Sequence, residues 1–320
     1  MGAAAAREGL FAALGALAAR LPGGPGTLLA GLLLAEAAVT AVLNLDTAVV
    51  FFTPVLLHAA RRRGAPEEPF LYGAVFIANS ASLLLPGSNL TNLIVLADGH
   101  VRGTTFAARL APAWAVAVAI TIAFLLVVFH PLRADGRPAG ERPPFRPRAG
   151  TAAVVAAAAG VLVLTRPALP VLGLGVATAV LARVPARIAL RQANPFLLGG
   201  VLALAVGLGT LAREVAGLGH LVAHAGRWET AWLGAGAAVV VNNLPAAALL
   251  SAHVPAHPRA LLLGLDLGPN LAVTGSLSAV LWLQVARAHG ARPSVLRYAA
   301  LGAVLVPVSL SLALLAATAF

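Results

Sequence analysis

Apolar residues in this chain fall in long runs separated by short polar stretches. The runs lie at about 8–21, 27–60, 70–97, 107–129, 150–165, 168–182, 195–212, 231–252, 259–286 and 298–320. Run 107–129 carries one charge, Arg109, and run 298–320 carries none. Either is long enough for a bilayer core that needs about 20 residues of helix. The pattern predicts an all-α polytopic membrane protein. Run 27–60 is too long for one crossing: as a straight helix it would rise about 51 Å, against a core of about 30 Å. Asn44-Leu45-Asp46-Thr47 sits at its middle, and Asn242-Asn243-Leu244-Pro245 sits at the middle of run 231–252. A polar tip between two short apolar arms predicts a hairpin in each place, either re-entrant or a tight pair of spans.

Charge placement supports returning hairpins. If both hairpins come back to the side they left, 14 arginines (clusters at 61–63, 133–148, 183–191 and 287–297) share one side. The other side holds 6: Arg102, Arg109, Arg166, Arg213, Arg227 and Arg259, with Arg7 and Arg20 left aside. A single span at 231–252 gives a less lopsided 12 to 8, and basic residues favour the cytoplasmic side. The composition agrees: 60% hydrophobic and 10% charged residues, with a mean hydropathy of +0.90, exclude a soluble enzyme. The net charge of +11 comes wholly from arginine, as the chain has no lysine. Those arginines lie between apolar runs, so membrane topology explains them and nucleic-acid binding is not called for. Cysteine is absent. Stretch 130–149, with five Arg and five Pro, reads as a cytoplasmic linker between a first half, 1–129, and a second, 150–320.

The halves look alike. Asn44-Leu45-Asp46-Thr47-Ala48 is similar to Asn243-Leu244-Pro245-Ala246-Ala247, and Gly87-Ser88-Asn89-Leu90 to Gly268-Pro269-Asn270-Leu271. Each half has a polar-tipped hairpin followed by an interrupted span, and in the arginine-based topology the hairpins enter from opposite sides. That is an inverted-repeat transporter with two re-entrant hairpins and two discontinuous transmembrane helices, whose breaks point to a binding site near the midplane.

Candidate chemistry gathers at these interruptions. Run 70–97 holds Asn79, Ser80, Ser82, Pro86, Gly87, Ser88, Asn89, Thr91 and Asn92; run 259–286 holds Asp266, Gly268, Pro269, Asn270, Thr274, Gly275, Ser276 and Ser278. Polar groups left bare in hydrocarbon cost several kcal/mol each, so these must face protein or water. Helix packing through small residues is the plain alternative. The intramembrane acids are Glu36, Asp46 and Asp266. An acid at that depth is a functional candidate. Asp46 is the first choice for carrying a proton, though an Asp before a helix also serves as a cap. His220 and His224 have the i, i+4 spacing of a metal pair but no acidic or Cys partner, so no metal or cofactor is called for. No phosphate-binding glycine loop and no His-Glu-x-x-His occurs.

At these residues the chain resembles the arsenite/antimonite efflux pump family, in the ion-transporter superfamily that also holds sodium–dicarboxylate symporters. The stretches are Leu43–Pro54 (LNLDTAVVFFTP), Ala78–Val95 (ANSASLLLPGSNLTNLIV), Val241–Ala248 (VNNLPAAA) and Leu265–Trp282 (LDLGPNLAVTGSLSAVLW). The resemblance implies a secondary antiporter of the plasma membrane. It would export trivalent arsenic or antimony as neutral hydroxides against protons, in some members with a cytoplasmic arsenite-stimulated ATPase subunit, and as a possible homodimer. Carried over to this chain, it implies substrate contacts at Asn44, Thr47, Ser88, Asn89, Asn92, Asn242, Asn243, Asn270 and Thr274, and proton coupling at Asp46 and Asp266. A neutral trihydroxide needs donors and acceptors, which Asn, Ser and Thr supply. Without cysteine the site must read hydroxyls rather than form arsenic–sulfur bonds. The family also implies spanning helices ahead of the first hairpin, where 26 residues stand here, so an N-terminally shortened chain is expected. The alternatives are a same-fold transporter of a carboxylate or of sodium against protons, and a non-transporting remnant.

Overall fold

The computed structural model describes residues 2–96, 103–130, 132–133, 146–163, 168–185, 187, 190, 195–214 and 221–317. Most of the expected 130–149 linker, namely residues 131 and 134–145, lies outside the described residues, as does His220.

Every regular element among the described residues is helical. Two short helices, α1 (Gly2–Arg7) and α2 (Leu10–Ala18), precede α3 (Pro25–Val42). The long run 27–60 breaks at Leu43-Asn44, and α4 (Leu45–Arg63) returns beside α3. Arg63 at the end of α4 donates to the carbonyls of Leu21 and Gly23, just ahead of α3, which fixes the two as antiparallel. Gly64 ends α4 with a φ of 63°, where a side chain is disfavoured, and its amide bonds to the Ala60 and Arg61 carbonyls. The chain turns there into α5 (Glu67–Ala81). The Arg61–Glu67 ion pair of 2.7 Å closes this turn, and α5 packs back along α4, antiparallel to it and therefore parallel to α3.

From Pro69 to Ala81, α5 is buried on every side, as expected of a helix apolar all round at the centre of a bundle. It ends in a break with a 3-10 turn at Pro86–Ser88, then α6 (Leu90–Val95) and the long α7 (Gly103–Val128). α8 (Ala149–Val163), α9 (Ala168–Leu181) and α10 (Pro195–Glu214) follow. They leave large apolar side chains open, Leu169 at 79% and Phe196 at 91%. Apolar exposure on that scale suits lipid rather than water.

Run 231–252 breaks at Asn242 into α11 (Arg227–Val241) and α12 (Asn243–Leu250). At 8 residues, α12 rises only about 12 Å, under half of a hydrocarbon core. Then come α13 (Pro258–Leu267), 3-10 turns at Gly268–Leu271 and Val273–Gly275, α14 (Leu277–Ala288) and α15 (Val295–Ala316). α13 is the second central helix, buried from Ala260 to Leu267. The two helices most deeply enclosed are thus the two that lead into breaks. Among the described residues three helices, α3, α7 and α15, are long and apolar enough to cross a membrane. The protein is an all-helical, polytopic membrane protein.

Two groups of arginines are each drawn together among the described residues. Arg61 donates to the His289 carbonyl, and Arg297 pairs with Glu68 at 2.9 Å, joining the 61–63 and 287–297 clusters at one end. Arg109, Arg227 and Arg259 of the opposing set line one cavity of about 670 Å³ together with His257.

Candidate functional site

Asparagine builds both hairpin tips. Asn44 Oδ1 accepts the amides of Asp46 at 2.8 Å and Thr47 at 3.4 Å, and Asn242 Oδ1 accepts the Leu244 amide at 3.3 Å. Each side chain satisfies donors that the first turn of the following helix leaves free. Asn242 also holds a φ of 78° and ψ of 147°, a strained conformation for a residue with a Cβ. Its Nδ2 donates to the Thr274 carbonyl at 3.0 Å, and Thr274 Oγ1 donates to the Val239 carbonyl at 3.2 Å, so the second tip is tied to the second break. Asn242→Ala is expected to lower stability by about 1–3 kcal/mol through the lost cap and bond. Asn242→Gly, which relieves the strain, should lose less. Thermal unfolding in detergent compares the two.

The two breaks share one backbone design. In the first, extended Leu85 (φ −124°) leads into the 3-10 turn Pro86–Ser88 and then extended Asn89 (φ −145°), which caps α6 by accepting the Thr91 amide at 3.1 Å. In the second, extended Ala272 (φ −149°) leads into Val273–Gly275 and then extended Ser276 (φ −145°), which caps α14 by accepting the Ala279 amide at 3.2 Å. The pairing read from sequence set Asn89 against Asn270. The backbone instead matches Asn89 with Ser276, because capping geometry, not local identity, sets the register.

That register exposes a reciprocal crossing. Asn89 Nδ2 and Thr91 Oγ1, at the first cap and two residues on, both donate to Asp266 Oδ1 at 2.8 Å. Ser276 and Ser278, at the second cap and two residues on, donate to Asn79 Oδ1 at 3.3 and 3.0 Å. Asn79 and Asp266 each stand ten residues before the cap of their own break, and each receives the donors of the other. Asn79 Nδ2 also donates to Asn270 Oδ1 at 2.9 Å, and Asn270 Nδ2 reaches the Phe76 carbonyl and Ser80 Oγ, both at 3.3 Å. All these side chains are buried, so the contacts form in a low-dielectric interior where each counts for more.

Two acceptors in the crossing lack a donor among the described residues: Asp266 Oδ2 and Asn92 Oδ1. Asn92 Nδ2 donates to the Ser82 carbonyl at 2.9 Å, and Ser88 Oγ lies against the Ser82 and Leu85 carbonyls. Of the candidate residues, Ser88, Asn89, Asn92, Asn243, Asn270 and Asp266 are buried, while Asn44, Asp46, Thr47 and Asn242 are half-buried and Thr274 is exposed. The structure joins Asn89 to Asp266 and the Asn242 side chain to the Thr274 carbonyl. Among the described residues no hydrogen bond ties the Asn44–Thr47 tip to the crossing. That tip meets the second half by packing, with Leu45 and Val49 in one apolar cluster with Val273 and Ala279. Conversely, α12 packs on α6, so each hairpin rests on the helix that follows the other half's break. Asn79, Thr91, Ser276 and Ser278 are the residues a list of polar interruptions does not rank. Their signal is a capping residue followed two places later by a hydroxyl, Asn89-Leu90-Thr91 and Ser276-Leu277-Ser278.

The citrate transporter family matches residues 1–273, and the chain belongs to it. It is 27% identical to an arsenical pump membrane protein of Yersinia enterocolitica over 79% of this chain and 68% of that protein. It is 28% identical to a silicon efflux transporter of Oryza sativa subsp. japonica over 38% of this chain, a stretch that covers 25% of that protein. With the buried polar breaks at its centre, the protein is a multi-pass membrane transporter.

Proposed function

We propose that the chain is an inverted-repeat secondary transporter, with halves 1–129 and 150–320 joined by a cytoplasmic linker, which exports trivalent arsenic or antimony as neutral hydroxides in exchange for protons across the plasma membrane. The observation that carries this is the chemistry of the crossing: amides, hydroxyls and one carboxyl, with no arginine among the hydrogen-bonded groups at either break. Such a lining suits an uncharged polyol-like solute and gives an anion no counter-charge. Similarity to an arsenical pump over most of the chain supports the solute class. In this reading the half-buried tip residues Asn44, Thr47 and Asn242, with the exposed Thr274 of the second break, meet the solute first. The buried set Ser88, Asn89, Asn92, Asn243 and Asn270 receives it when the halves rearrange. Asp46 and Asp266 carry the protons.

A second reading has its own support. The family is named for citrate transport, and a cavity holding Arg109, Arg227, Arg259 and His257 would draw a carboxylate. Everted vesicles containing the chain decide between them. Arsenite accumulation driven by an imposed proton gradient supports the first; sodium- or proton-driven citrate flux without arsenite flux overturns it. In the same vesicles Asp46→Asn should reduce gradient-driven arsenite uptake to background while the protein stays in the membrane. Normal coupled uptake by this variant removes Asp46 from the proton path.

A further inference from the structure

α3 presents a buried stripe of Leu29, Leu33, Glu36, Ala37 and Thr40, in helical register. Glu36 and Thr40 are wholly buried, and Glu36 Oε1, Glu36 Oε2 and Thr40 Oγ1 all lack a partner among the described residues. They stand four residues apart, so their side chains are neighbours on one face. Leu33 packs on Gly73, where a Cβ would come 3.0 Å from Leu33 Cδ2. Because α3 and α5 run parallel, equal steps from that contact bring Glu36 level with Phe76 and Thr40 level with Ser80. Those two α5 residues accept hydrogen bonds from Asn270 at the crossing. The orphaned carboxyl thus lies one helix behind the crossing.

A buried carboxylate with no donor is costly enough that it takes up a proton or a cation. The charged and titratable groups on the elements packed against α3 do not neutralise it. On α4, His58 bonds the Pro54 carbonyl, Arg61 pairs with Glu67, and Arg62 and Arg63 stand at the far end. Asp46 at the tip is itself an acid. On α5, Glu67 and Glu68 pair with Arg61 and Arg297, and Tyr72 bonds Ser294. α7 carries only Arg109, which is exposed, and the Pro86–Ser88 turn has no titratable group. Three orphaned oxygens are also too few for a hard cation, which takes about six.

We propose that Glu36 and Thr40 form a proton-binding site of the first half, distinct from the candidate acids Asp46 and Asp266. Binding converts the carboxylate to the neutral acid, and a rotamer change at the two side chains, one helical turn apart, then lets the new O–H donate to Thr40 Oγ1. The site follows from packing and holds whatever the solute; only its part in coupling rests on the function proposed above.

Infrared spectroscopy of the reconstituted full chain at neutral pH tests it, in an Asp46→Asn, Asp266→Asn background that removes the other two intramembrane acids. The protonated-carboxyl band is expected to persist in that background and to vanish when Glu36→Gln is added. A background without the band, or a band that survives Glu36→Gln, overturns the proposal. If the triple variant does not insert, Thr40→Val in the double background replaces it: a shifted band supports the site, and an unmoved band overturns it. Proton-driven flux through Glu36→Gln in the otherwise native chain is measured alongside and is expected to be lost. If the native chain itself shows no such flux, the transport reading fails while the band still decides the Glu36 site.

Discussion

Gly302→Ala is expected to be among the most damaging glycine-to-alanine changes at the described residues. Gly302 lies on the buried face of α15, and a Cβ there would run into the Asn270 carbonyl oxygen, with the Asn270 carbonyl carbon at 2.8 Å and Leu271 Cα at 3.0 Å. All three are backbone atoms of the second break, so no flexible side chain can swing aside. One turn earlier on α15 Tyr298 donates to the Pro269 carbonyl at 2.9 Å, and on the break's other flank a Cβ on Gly268 would meet Ala235 Cα of α11 at 2.5 Å. Overpacking costs about 1–3 kcal/mol where neighbours can adjust and more where they cannot. Displacing Asn270 would also strain its bonds to Asn79, Phe76 and Ser80. The expected result is a loss of at least about 3 kcal/mol of stability, read as a sharp fall in melting temperature or in folded protein recovered from membranes. Gly236→Ala is the control: nothing lies within 4 Å of its added methyl, and alanine is the better helix former by about 1 kcal/mol. It should be neutral or mildly stabilising. Equal behaviour of the two variants would show that the second break does not pack on α15 as described.

Substitutions at Asp266 should divide stability from transport. Asp266 Oδ1 accepts from Asn89 and Thr91, and Oδ2 has no donor among the described residues. Asparagine keeps the acceptor for both donors and matches the shape of a protonated acid, so Asp266→Asn should fold and insert near normally. Alanine removes the acceptor and strands two buried donors, at about 1–3 kcal/mol for each group left unpaired. Asp266→Ala should therefore melt well below Asp266→Asn. If Asp266 carries a proton, Asp266→Asn should also lose gradient-driven uptake despite its intact fold, since the amide can neither take up nor release the coupled proton. An Asn variant as unstable as the Ala variant would mean the crossing needs a charged carboxylate. A stable Asn variant with full coupling would leave Asp266 a purely structural link between the halves.

Much of this arrangement was readable along the chain. An apolar run too long for one crossing, with Asn44-Leu45-Asp46-Thr47 at its middle, forces a break there, and the structure breaks at Leu43-Asn44. Asn242-Asn243-Leu244-Pro245 did the same for α11 and α12. The breaks after α5 and α13 were legible from Pro86-Gly87 and Gly268-Pro269, since proline lacks an amide and glycine holds a helix poorly. The structure gathers Arg61, His289, Glu68 and Arg297 through hydrogen bonds and ion pairs, and Arg109, Arg227 and Arg259 in the lining of one cavity.

Partnership was not readable. Sequence placed Asn79, Thr91, Ser276 and Ser278 in polar stretches but gave no reason to rank them, because hydrogen bonding across the two breaks depends on how α5 and α13 cross. It set Asn89 against Asn270 by local likeness, where capping geometry sets Asn89 against Ser276. It named Glu36 among the intramembrane acids but gave it no role in proton coupling, and burial of its carboxyl on α3 without a partner among the described residues is what makes it matter. What the sequence alone determined were the properties that follow from local chemistry: helix, membrane, breakpoints and the sides on which charge collects. What the tertiary structure decided is which polar group answers which, because a buried donor and its acceptor are chosen by the packing of distant segments, and no local preference encodes that choice.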